Sequence, residues 1–173
     1  MRRTYRVLAY VIAVEVVIQA MAIAFALAGL GKWVRDEGGV LNKQTMDDSS
    51  TSFTGAVGFM IHGINGEMLI PLLVLALLVV SFFAHVPGGT RMAAIIVGLV
   101  VVQVGLGIGL HGVPYLALLH AANAFAILGV AVGAGVRARG SVVPANGSVP
   151  GVPVPREGAP TEALRPSSGP SAG

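Results

Sequence analysis

Four stretches of the chain run apolar for the length a bilayer demands, and polar residues interrupt them at only a few places. They cover approximately residues 5–30, 57–83, 92–110 and 115–136. A hydrocarbon core of about 30 Å is crossed by roughly 20 mostly apolar residues in helical form. The pattern therefore predicts an all-α integral membrane protein, a four-helix bundle occupying residues 1–139. Beyond it the pattern breaks: seven of the ten prolines fall between Pro144 and Pro170, among Gly, Ser, Ala and Val. Such a segment buries too little apolar surface to offset its ordering entropy, so residues 140–173 are expected to be a disordered tail.

The first stretch follows Met1-Arg2-Arg3 and could be read as a cleaved leader. Its apolar run is much longer than the roughly 7–15 residues of a signal peptide, and it holds Glu15 and Gln19, so a retained helix is expected. Cationic residues set the orientation. Arg2, Arg3 and Arg6 precede the first helix, Arg91 lies in the short second loop, and Arg137 and Arg139 follow the fourth helix. The first loop, from Gly31 to Ala56, mixes both signs, and His111 to Pro114 carries no Lys or Arg. The positive-inside rule then puts both termini and the Pro87-Gly88-Gly89 turn in the cytoplasm of a multi-pass plasma-membrane protein.

Composition agrees and narrows the chemistry. The chain is 54% hydrophobic and 11% charged, with a mean hydropathy of +0.80, which assigns much of it to the lipid bilayer. Its net charge of +3 reflects arginines flanking apolar segments, and no nucleic-acid partner is expected. The absence of cysteine removes disulfides, thiolate metal sites and thiol nucleophiles. No phosphate-binding glycine loop, nucleophile elbow or carboxylate metal cluster is present in the sequence.

The polar interruptions repeat. Val16-Val17-Ile18-Gln19 matches Val100-Val101-Val102-Gln103, and Ile61-His62-Gly63-Ile64-Asn65 matches Leu119-His120-Ala121-Ala122-Asn123. Each half thus has Gln on its first helix and His-x-x-Asn early on its second. Both halves start and end on the same side, so the repeat is parallel and predicts a pseudo-two-fold axis along the membrane normal. Helices two and four then face each other diagonally, with His62 and His120 at similar depth near the outer side.

Two readings of this set stand side by side. Paired inward histidines on opposed helices can ligate a haem iron from both axial sides. Asn65, Asn123 and Gln103 would flank the ring, Gly66 and Ala124 would make room for it, and Lys32, Arg35 and His111 would meet its propionates. Alternatively, His, Asn and Gln hydrogen-bond helices together in a non-catalytic accessory or assembly subunit. His85, at the cytoplasmic end, reads as an interfacial residue. Glu15 and Glu67 lie about 15 Å from their helix entrances, with no Lys or Arg at that depth. They are candidates for handling a proton as a pair, lining a quinone layer, or hydrogen bonding between helices. Pro71 should bend the second helix.

The run Leu99-Val100-Val101-Val102-Gln103-Val104-Gly105-Leu106-Gly107, with Pro114 and then Leu119-His120, resembles helices three and four of the heme A synthase family. His62 with Gly66 is similar to that family's histidine at the start of helix two. The resemblance covers most of residues 5–136 as one four-helix half, and it also extends to small four-helix actinobacterial membrane proteins. It implies His62 and His120 as axial ligands of a b-type haem. The family's catalytic glutamate is replaced by Phe59, the arginine after its first histidine by Gly63, and its loop cysteines are missing. The resemblance therefore implies haem binding, in electron transfer or haem handling, rather than synthesis of haem A. Expected partners are the bilayer, a membrane redox protein or quinone, and a second copy of the chain in a homodimer.

Overall fold

The computed structural model describes residues 1–48, 51–109 and 113–140. Among them all regular structure is helical: α1 (Arg2–Asp36), α2 (Lys43–Asp47), α3 (Ala56–Ile64), α4 (Ile70–Ala84), α5 (Gly89–Gly109) and α6 (Leu116–Arg137). A π turn, Asn65–Leu69, joins α3 to α4 without a break. Four spans are long and apolar enough to cross a membrane: α1, Ala56–Ala84, α5 and α6. The expected tail and His111 lie outside the described residues.

The helices exceed the hydropathic segments where polarity, but not backbone preference, changes. Residues 31–36 contain no proline, so α1 continues past the apolar run to Asp36, where Lys32 pairs with Glu37. The first loop also holds α2, which hydropathy does not reveal. Asn42 Oδ1 accepts from Thr45 N at 2.9 Å while Thr45 Oγ1 accepts from Asn42 N at 3.0 Å, a reciprocal cap. Trp33 stacks on Phe53 at 5.7 Å and Phe53 meets Phe59 edge-on at 6.4 Å, holding this loop over the start of α3.

Pro71 explains the π turn. Proline has no N–H for the carbonyl four residues back, and its ring crowds that carbonyl, which belongs to Glu67. Widening the preceding turn relieves the crowding and keeps the span helical.

The helices pack in a ring: α1 on α3 and α4, α4 on α5, α5 on α6, and α6 back on α1. The second and fourth spans are therefore diagonal, as the repeat requires. The bundle closes at its arginine-bearing end. There Arg2 Nε donates to the Ala138 carbonyl at 3.2 Å, and the Tyr5 hydroxyl donates to the Gly89 carbonyl at 2.9 Å. Both ends of the described chain and the turn at Gly88 consequently share one end of the bundle. Its core contains Tyr5, Ile12, Val74, Leu77, Ile96, Ile127 and Ala131.

The opposite end is looser. The buried residues of α5 lie between Gly89 and Val100, and those of α6 between Ile127 and Gly135. α3 packs closely on α1 but not on α5 or α6. A cleft thus separates the two hairpins at this end, and the repeated histidines stand on its walls.

Candidate functional site

His62 reaches this cleft because α3 is pressed tightly to α1. A Cβ on Gly58, one turn before the histidine, would run into the Ala22 carbonyl. On the other wall, a Cβ on Gly107 would sit 3.3 Å from His120 Cε1, so that glycine seats the second ring. The two imidazoles face each other with ring centres 6.1 Å apart and planes inclined by 56°.

Each ring is anchored to the preceding span of its own half. His120 Nδ1 lies 3.2 Å from the Gln103 carbonyl oxygen, and His62 Nδ1 lies 3.2 Å from the Gln19 carbonyl oxygen. A carbonyl can only accept, so a ring held this way carries its hydrogen on Nδ1 and keeps a lone pair on Nε2. That tautomer is the one a histidine needs to bind a metal through Nε2.

The asparagines repeat as well, but their acceptors differ. Asn123 Nδ2 donates to Gln103 Oε1 at 2.7 Å and to the Leu99 carbonyl at 2.8 Å. Asn65 Nδ2 donates at 2.7 Å to Glu15 Oε2, and Glu15 is four residues before Gln19 as Leu99 is before Gln103. A carboxylate in the first half therefore does the work of a backbone carbonyl in the second.

Gln19 completes the first half and is buried. With its side-chain oxygen toward Gly66 N (2.9 Å) and Asn65 Nδ2 (3.1 Å), its nitrogen donates to the His62 carbonyl (3.1 Å) and to His62 Nδ1 (2.7 Å). In that orientation Nδ1 is the acceptor and the ring hydrogen sits on Nε2. The opposite orientation would set the oxygen against the His62 carbonyl oxygen and the nitrogen against Gly66 N–H, so the surroundings select the first. The two histidines are therefore held differently: His62 Nδ1 accepts from the Gln19 side chain, whereas His120 Nδ1 donates to the Gln103 carbonyl. Asn65 Oδ1 is buried and has no hydrogen-bond partner.

The structure does not bring Glu67 to Glu15 as a proton-sharing pair. Glu67 lies two positions beyond the buried Asn65 on the π turn and is exposed. Lys32 is engaged by Glu37. His85 caps α4 in the left-handed conformation at φ 50°, far from the cleft, and its Nδ1 bonds to the Phe83 carbonyl oxygen at 3.0 Å. Gln19 was visible in the sequence as half of the repeat, but its contact with His62 depends on how α1 and α3 cross.

Two imidazoles this close can share one metal, as in a flat macrocycle with two axial ligands. Two imidazoles bound to one metal by bonds of about 2 Å have ring centres roughly 6 Å apart, which matches the observed spacing. Among the described residues no group of three or more His, Asp or Glu gathers as a metal cage. The donor set thus fits haem better than a tetrahedral ion. No protein-family model, curated protein or solved structure matches the chain.

Proposed function

We propose that this chain is a multi-pass plasma-membrane protein, with both termini cytoplasmic, that holds one b-type haem between His62 and His120. Its role is electron transfer or haem handling, with a membrane redox protein or quinone as partner. The observation carrying this reading is the pair of imidazoles 6.1 Å apart across the open outer end of the bundle. Six arginines at the closed end, Arg2, Arg3, Arg6, Arg91, Arg137 and Arg139, support the orientation. When bound, a haem with two axial imidazoles supplies one-electron chemistry.

The chain's own residues do the rest. The Gln103 carbonyl holds His120 through Nδ1 and leaves Nε2 its lone pair, and Asn123 ties Gln103 to α6. The Gln19 carbonyl takes the corresponding place beside His62 Nδ1.

Purified protein should be red, with a Soret band and sharp α and β bands on reduction. His62→Ala or His120→Ala should abolish the low-spin spectrum. Protein that stays colourless from haem-replete cells and is unchanged by added haemin would falsify the reading. The Nδ1–carbonyl contacts favour a second reading, in which the histidines only tie helices together in an accessory subunit. In that case His120→Asn would preserve folding, and no haem spectrum would form in the parent.

A further inference from the structure

The closed end of the bundle is cationic throughout. Arg2, Arg3, Arg6, Arg91, Arg137 and Arg139 gather there, and no Asp or Glu stands among the described residues at that end. On α1 the first acid is Glu15, and α4, α5 and α6 have none.

A groove leads away from this end along the outside of the bundle, between α1 and α6. Tyr10, Val14, Val17 and Met21 line one side and Leu128 and Val132 the other, around a volume of about 450 Å³. From Tyr10 to Met21 the helix rises about 16 Å. That is half of a hydrocarbon core about 30 Å thick, the depth of one leaflet. Tyr10 closes the arginine end of the groove. Its ring rests on α6 at Gly135, where a Cβ would come within 2.8 Å of Tyr10 Cε1 and Cζ. The Arg139 guanidinium lies over the same ring, 5.5 Å from its centre. The Tyr10 hydroxyl is buried and has no hydrogen-bond partner, and a buried tyrosine rarely leaves its O–H unused.

We propose that this groove seats one anionic phospholipid of the arginine-end leaflet, with an acyl chain along α1 and α6 and its phosphate on Arg139. The proposal rests on the four membrane spans and not on the haem reading. Arg139 is exposed, so its guanidinium turns from the ring to the phosphate, exchanging a cation–π contact for charge-assisted hydrogen bonds. That turn opens the Tyr10 hydroxyl to a phosphate or ester oxygen. Arg6, one turn before Tyr10 on the same face of α1, adds a second cation. Charge selects the occupant. A zwitterionic headgroup would bring its own cation to a site that already has several. A second copy of the chain, related by a two-fold axis along the membrane normal, would set the same arginines against each other.

The test is lipid retention by the full-length chain, taken from bilayers of equal parts phosphatidylglycerol and phosphatidylcholine with the same acyl chains into neutral detergent. Native mass spectrometry then counts the lipids that stay bound. The parent should keep one phosphatidylglycerol in preference to phosphatidylcholine. Arg139→Gln should lower that preference about fivefold, the scale of one arginine at an anionic lipid surface. Tyr10→Phe keeps the ring, loses the hydroxyl, and should cost a similar factor. Val17→Trp fills the groove with every cation in place and should lower retention as well. Val17 and Arg139 are both exposed, so neither substitution disturbs the core. Arg91→Gln, on the helix diagonal to α1, should change nothing. Equal retention of both lipids, no loss in Tyr10→Phe or Val17→Trp, or an equal loss in Arg91→Gln overturns the site and leaves only surface charge. Displacement of the lipid by inorganic phosphate overturns the role of the groove. A lipid-free dimer that Val17→Trp dissociates would instead give this face to a second copy.

Discussion

At the scale of the residue, the site is built from hydrogen-bonding groups, and each is scarce enough in a membrane to be informative. Asn123 spans two acceptors on α5 and so fixes both the Gln103 side chain and the register of α6. Asn123→Ala should lower stability by about 1 kcal/mol in mixed-micelle unfolding while leaving haem binding in place. Three coinciding polar positions were legible in the sequence as a repeat. That Glu15 belongs to the His62 half, and Glu67 to neither, was not. Both carboxylates have similar depth in a linear reading, and only the rotation of each helix about its own axis separates them.

At the scale of the element, glycine decides how near α3 approaches α1. Gly58 lies against the Ala22 carbonyl, and Gly55, with φ of +97°, starts the helix with its Cα close to Gly29. Gly58→Leu should destabilise the bundle by about 1–3 kcal/mol in the same unfolding assay and weaken the haem spectrum, because His62 is carried away from Gln19. Gly98→Leu is the control. Its Cβ would enter open space, so little change is expected. Hydropathy located all four spans within a few residues but missed the capped α2 and the extension of α1. It reads transfer into lipid, and these segments are polar helices held by capping and by lack of a breaker. Pro71 signalled a distortion; the π turn that answers it also shifts which residues of the second span face inward.

At the scale of the molecule, the bundle is closed at its arginine end and open at the histidine end, giving a rigid base and a cleft. Since the chain contains no cysteine, its orientation can be tested cleanly. Thr51→Cys should react with a membrane-impermeant thiol reagent in intact cells, and Gly140→Cys only after lysis. The reverse pattern would invert the orientation drawn from the arginines. All described site residues precede Gly140, so a chain ending there should retain the spectrum and thermal stability of the full-length protein.

The sequence alone determined the number of spans, their pairing into two like hairpins and the identity of the facing histidines. Those follow from apolar length and from polar residues too costly to place in lipid without purpose. Tertiary structure alone decided three things: the 6.1 Å spacing of the imidazoles, the opening of the cleft, and the joining of Glu15 to His62 through Asn65 and Gln19. Each depends on helix rotation and separation. Side-chain packing between spans sets those quantities, and the pattern along any one span does not encode them.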